Sequence, residues 1–179
     1  SAKLGPLAER KVLNANFEFD PLADEDAIFI CVPTPATETK APDVTFIEAA
    51  ARQIRDRLHP GQLVILQSTS YPGTTEEVVQ PILEETGLKA GEDFYLAFAP
   101  ERIDPGNQQF TAKNTAKVVG GITPESTRLA VQLFEMITPA SHIHPVSCPR
   151  VAEMCKLLEY IFRSVNIALV NEICEICHR

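Results

Sequence analysis

Thr69, Glu101 and Lys156 are the residues of this 179-residue chain whose types and settings suit chemistry best. Thr69 follows an apolar run that ends in Gln67-Ser68. Its hydroxyl can orient a water or a substrate oxygen, or it can serve the turn, as Ser and Thr do at such places. Glu101 follows Ala99-Pro100 at the end of another apolar run. A carboxylate on so rigid a turn is expected to be partly desolvated, with its pKa raised toward the range useful for acid/base work. The alternative is a salt bridge to Arg102 or a solvated surface acid. Lys156 stands inside an apolar stretch, where an ammonium must snorkel or find a partner. Glu153 and Glu159, three residues to either side, offer plain helical ion pairs.

Two cysteine and histidine patterns are weaker. Cys174-Glu-Ile-Cys177-His178 has the spacing of a c-type haem attachment, but it falls at the end of an apolar helical stretch, and helix packing accounts for it. His142, His144 and Cys148 lack a fourth ligand to complete a tetrahedral site and are expected in a loop near a strand end, so no metal is predicted.

The elements that position these residues follow from periodicity. Near-continuous apolar runs at Asp26–Val32, Leu63–Leu66, Phe94–Phe98 and Lys117–Gly121 predict strands, the first buried on both faces as in a parallel sheet. A weaker strand is expected around Phe17–Phe19. Helical spacing intervenes after Asp43-Val-Thr45, after Thr75-Glu76 and over 123–137. Strand–helix alternation of this kind predicts an α/β fold, a layered sheet with helices on its faces. In an open parallel sheet, ligands bind beyond the carboxyl ends of the strands, so Pro33-Thr34-Pro35, Ser68-Thr69-Ser70 and Pro100-Glu101-Arg102 should converge. From Arg150 to the end, about thirty residues run without Gly or Pro and are apolar around nearly the whole circumference. Such a helix must be buried, and at about 1.5 Å per residue it spans some 45 Å, so it should bridge to further structure or pack on a second subunit.

Composition narrows the classes. A net charge of −8 argues against a phosphate-tracking nucleic-acid surface. No run approaches the roughly 20 apolar residues of a membrane span, and SAKLGPLAERK has no signal-peptide core. Five cysteines, mostly inside apolar stretches, do not read as a disulfide framework and fit a cytoplasmic protein.

The stretches ICVPTP (30–35), STSYPGTTEEVV (68–79), APERIDPGN (99–107), KNTAKVVGG (113–121), SCPRVAEMCKLLE (147–159) and NIALVNE (166–172), in unbroken order, resemble the UDP-glucose/GDP-mannose dehydrogenase family. The YPGTT and PERxDPGN wording is most similar to the UDP-N-acetylglucosamine 6-dehydrogenases among its branches. The resemblance implies the C-terminal part of a Rossmann-like, doubly wound parallel sheet (1–148, NAD-binding) followed by a long central dimerisation helix (149–179). It further implies oxidation of the C6 alcohol of a UDP-sugar, UDP-N-acetylhexosamine first, to the uronate in two NAD⁺ steps through an enzyme thioester, as in polysaccharide biosynthesis. UDP-glucose and UDP-N-acetylmannosamine are the alternative substrates.

Matched position by position, the resemblance makes Glu101 the acid/base, Thr69 the hydroxyl beside the nicotinamide that helps hold a water, and Lys156 the lysine that stabilises the oxyanion. Val32, Pro33, Thr34, Ser68 and Thr69 match the loops along NAD. Glu101, Arg102, Ile103, Asp104, Lys156 and Tyr160 match substrate-contacting positions.

The chain departs from that pattern in three ways. The glycine fingerprint is expected upstream of residue 1, and the catalytic cysteine and the UDP-sugar-binding domain downstream of residue 179; none of Cys31, Cys148, Cys155, Cys174 or Cys177 matches the nucleophile. Tyr160 stands where the family places an asparagine, and its bulk would intrude on the sugar site. The piece alone is therefore expected to be inactive, and a non-catalytic remnant that dimerises or binds nucleotide is the reading from another class.

Overall fold

The apolar runs assemble into one five-stranded sheet: β1 (Ala27–Ile30), β2 (Leu63–Leu66), β3 (Tyr95–Phe98), β4 (Lys117–Gly121) and β5 (Ile143–Pro145), side by side in that order. This computed structural model describes residues 13–39, 41–103 and 113–178, with Leu7, Glu9, Arg10, Gln109 and Thr111. Its helices are α1 (Thr45–Arg55), α2 (Gln80–Glu84, led in by a wider helical turn at Thr75–Val79), α3 (Pro124–Glu135) and α4 (Pro149–His178).

Strands β1 to β3 are parallel, with Ala27 level with Leu63 and Leu63 level with Tyr95. Alternate side chains serve opposite faces. Val64, Leu66, Leu96 and Phe98 join Ile47, Ala51 and Ile54 of α1 and Ile82 and Leu83 of α2 in one buried cluster. Leu63, Ile65 and Ala97 join Ala130 and Phe134 of α3 in the other. Each large apolar side chain fully buried in these layers contributes about 1.5–3 kcal/mol, so the sheet and its two helical covers stabilise one another. Thr123 caps α3, its hydroxyl accepting the Ser126 N–H at 3.1 Å, which satisfies one of the orphan donors of the first turn.

The sheet is the largely parallel one expected, with a reversal between β3 and β4. β4 runs antiparallel to β3, with Phe98 opposite Gly120 and Ala97 opposite Gly121. A parallel return needs a crossover, usually a helix, and none is described between β3 and β4. α3 supplies the crossover between β4 and β5, and those two strands are parallel. His144 therefore sits in an edge strand rather than the expected loop; Ile-His-Pro carries too little apolar pattern to predict it. No strand forms at Phe17–Phe19. Phe17 is fully exposed and the chain turns through a short 3₁₀ segment at Asp20–Asp24. β1 is an edge strand here and is buried on one face only, since Phe29 remains 41% exposed and meets Phe134 edge-on at 5.8 Å between ring centroids.

The first turns of α4 lie against β4. A Cβ at Gly120 would collide with the carbonyl of Cys148, so the glycine permits that approach. Pro149, Ala152, Glu153 and Lys156 are buried, but from Leu158 on the apolar residues are exposed, Phe162 and Ile176 to 69% and 71%. The all-round apolar helix is thus not buried within this chain, because nothing described in it packs along the outer turns.

Candidate active site

The carboxyl ends of β1, β2 and β3 open into one cleft of about 380 Å³, lined by Cys31, Val32, Pro33, Thr34, Gln67, Ser68, Thr69 and Glu101. Ser68 shapes it. Its hydroxyl accepts the Val32 N–H at 2.8 Å and lies 2.8 Å from the Val32 carbonyl and 3.2 Å from that of Ile30, tying the Val32–Thr34 loop to the end of β2. Thr69, next along, makes no side-chain hydrogen bond among the described residues, so its half-buried hydroxyl keeps its donor and acceptor capacity for something in the cleft. The Cys31 thiol donates to Gln67 Oε1 at 3.2 Å. Burial, and then the negative charge of Glu101, push its pKa upward, which makes it a poor nucleophile.

Glu101 is tightly held. Oε1 accepts the N–H groups of Arg102 and Ile103 at 2.7 and 2.9 Å, and Oε2 takes the ammonium of Lys117 at 3.2 Å. Burial is the largest single influence and would raise its pKa. The Arg102 N–H, the charge of Lys117 and the Ile103 N–H together outweigh it, and the carboxyl titrates below its ordinary 4.5. The raised value expected from the sequence is thereby corrected: desolvation is present, but the anion is compensated on both oxygens. Glu101 is therefore held as a carboxylate. Its expected partner Arg102 instead pairs with Glu159.

Lys156, Arg102, Ile103 and Tyr160 line a second cleft of about 870 Å³ with Asn114, His142 and Arg163. Lys156 makes neither of the helical ion pairs that the sequence offered. Its ammonium donates to the Glu101 carbonyl at 2.6 Å and lies 4.5 Å from the centroid of the Tyr160 ring, a cation–π contact. Glu153 turns the other way: fully buried, it accepts the Gly73 and Thr75 N–H groups and the Thr75 hydroxyl, the last two at 2.9 and 2.7 Å. That anchorage fixes α4 on the Tyr71–Thr75 turn and so fixes where Lys156 emerges. Asp104 lies outside the described residues. Cys174 and His178 share the exposed end of α4, with His178 Nδ1 2.8 Å from the Cys174 carbonyl.

Sequence reasoning passed over Lys117 and the role of Glu153. The available signals were a lysine opening an otherwise apolar strand and a glutamate within the buried first turns of an apolar helix.

Helices on both faces of a sheet whose parallel strand ends share a loop-lined cleft define a Rossmann-type nucleotide-binding α/β protein. The chain belongs to the UDP-glucose/GDP-mannose dehydrogenase family: the profile of that family's NAD binding domain matches residues 3–138. UDP-N-acetyl-D-glucosamine 6-dehydrogenase of Pseudomonas aeruginosa is 39% identical over 174 residues, which are 97% of this chain and 41% of that protein. NDP-N-acetyl-D-galactosaminuronic acid dehydrogenase of Ralstonia solanacearum is 40% identical over 172 residues, 92% of this chain and 40% of that protein. Among solved structures, the UDP-D-ManNAc dehydrogenase of Pyrococcus horikoshii superposes with a TM-score of 0.89 at 35% identity, over 96% of this chain and 40% of that one. The chain thus spans about two fifths of the length of these relatives.

Proposed function

We propose that this chain supplies the nicotinamide side of the active site of an NAD-dependent nucleotide-sugar 6-dehydrogenase, oxidising the C6 alcohol of a UDP-N-acetylhexosamine to the uronate. The observation that carries this is that Thr69 and Glu101, at the ends of β2 and β3, line one cleft and Lys156, on α4, lines a second, the two linked by the bond from the Lys156 ammonium to the Glu101 carbonyl. The residues suit NAD: an uncommitted Thr69 hydroxyl, the apolar surface of Val32 and Pro33, and a nearby anionic Glu101 match a flat cationic ring bearing an amide. When bound, NAD⁺ supplies the hydride acceptor.

Thr69 orients a water at the cleft mouth. Glu101, as a carboxylate whose charge Lys117 compensates, takes a proton from that water. Lys156, released from the Glu101 carbonyl, reaches the C6 oxygen and stabilises its negative charge. Arg102, Ile103 and Tyr160 border the sugar. A thioester-forming cysteine comes from outside this chain, and UDP-glucose or UDP-N-acetylmannosamine are the alternative substrates.

Residues 1–148 are read as the NAD-binding part and 149–179 as the start of a dimer-forming central helix in a cytoplasmic enzyme of polysaccharide biosynthesis. Among the described residues no helix is long and apolar enough to cross a membrane. Titrating NAD⁺ into the isotopically labelled chain tests the cofactor assignment: amide shifts should concentrate at Val32, Thr34, Ser68 and Thr69. Shifts elsewhere, or none at millimolar NAD⁺, would overturn it.

A second reading, a chain that binds nucleotide or dimerises without turnover, is favoured by Tyr160, whose ring lies in the sugar-side cleft and holds Lys156. Tyr160→Asn should then strengthen UDP-sugar binding measured by calorimetry; no change would leave the tyrosine irrelevant to the site.

A further inference from the structure

Lys117 is a buried lysine at the first position of a core strand. Its side chain is 4% exposed, whereas that of its partner Glu101 is 41% exposed. Surface ion pairs are mobile at both ends, but here the cation is the immobile member, with the Phe134 ring 5.2 Å away. Glu101 is the anion it meets among the described residues. The reversal of β4 produces the meeting. Phe98 pairs with Gly120, and each step forward from β3 is one step back along β4, so three residues past Phe98 stands Glu101 and three before Gly120 stands Lys117. An apolar residue would be cheaper in that place, since burying an ammonium is costly unless it has a partner.

We propose that Lys117 is a positioning residue for the reaction: acting through Glu101, it fixes Oε2 while the two backbone N–H groups fix Oε1, so that the carboxylate stays aimed at the cleft it shares with Thr69. This rests on the reading of Glu101 as the acid/base. The other groups facing Glu101 do not duplicate the role. Arg102 is engaged by Glu159, Lys156 holds the Glu101 carbonyl rather than its carboxylate, and the Cys31 thiol carries no positive charge.

The test is a ¹³C NMR titration of the Glu101 carboxyl in the 179-residue chain, with Lys117→Met and Lys117→Arg beside the unaltered protein. Lys117→Met should move the Glu101 midpoint upward, Lys117→Arg should hold it near the original, and Glu125, paired with Arg128 on α3, should not move. An unmoved Glu101 in a folded Lys117→Met variant would overturn the proposal.

Should Lys117→Met fail to fold, the reciprocal measurement decides. In Glu101→Gln, altered at the half-exposed partner, the ¹⁵N resonance of the Lys117 side chain at neutral pH should move from its position in the unaltered chain, and an unmoved resonance would overturn the proposal. The NAD⁺ shift mapping runs independently. A displaced Glu101 midpoint with no NAD⁺ response would uphold the positioning and defeat the functional reading, and the opposite pair of results would do the reverse.

Discussion

The ammonium of Lys156 donates to the main-chain carbonyl of Glu101 at 2.6 Å, joining α4 to the loop after β3 across 55 positions of sequence. This one bond links the cleft lined by Thr69 and Glu101 to the cleft lined by Lys156 and Tyr160. It depends on α4 being seated correctly, and the seating is the work of Glu153.

Glu153→Ala should be among the most damaging single changes in the chain. It strands the Gly73 and Thr75 N–H groups and the Thr75 hydroxyl in a buried place, at a cost of about 3–5 kcal/mol. Glu153→Gln keeps an acceptor and should cost less. Urea unfolding of both variants measures the difference, and equal stability would show that α4 is seated by its apolar contacts instead.

The carboxyl of Glu101 gives the stability a sign with pH. Its pKa lies below the ordinary 4.5 in the folded chain, so its contribution is present above the unfolded value and lost as the pH falls through the folded one. Glu101→Gln should therefore be less stable than the unaltered chain at neutral pH, with the gap closing as the pH drops through the carboxylate range. Denaturant midpoints at several pH values test this, and a gap that widened in acid would contradict it.

The exposed apolar residues of α4, among them Leu158, Phe162, Leu169 and Val170, form a surface that seeks a partner. At micromolar concentration the chain should sediment as a dimer or larger. Phe162→Glu with Leu169→Glu should return it to a monomer, because two charges on that face oppose helix-to-helix packing. A monomer before any substitution would count against the dimer.

Turnover is a sharper matter. The five cysteines of the chain include just one, Cys31, in the cleft lined by Thr69 and Glu101, and its thiol is held protonated. The 179-residue chain by itself should form no NADH from UDP-sugars, since covalent catalysis needs an activated nucleophile. Sustained absorbance growth at 340 nm, lost in Cys31→Ser, would assign the nucleophile to Cys31 and refute the expectation.

The sequence by itself determined the elements whose side-chain periodicity is strong. The Leu63–Leu66 and Lys117–Gly121 strands and the long helix from Pro149 stand where their patterns put them, because strands buried on two faces are apolar at every position and a long run without internal Gly or Pro sustains a helix. It also singled out Thr69, Glu101 and Lys156, since strand ends and an isolated lysine are local features. Short elements escaped: Ile143–Pro145 has one buried residue, and Phe17–Phe19 has apolar residues with no neighbouring strand to pair with. What each chosen residue touches was decided by tertiary structure. Glu153 and Glu159 lie beside Lys156 in sequence, yet they serve Thr75 and Arg102. The direction of β4 is likewise a matter of the whole sheet. An apolar run reads the same whether it pairs parallel or antiparallel, and only the antiparallel choice sets Lys117 beside Glu101, where it helps hold that carboxyl below its ordinary pKa.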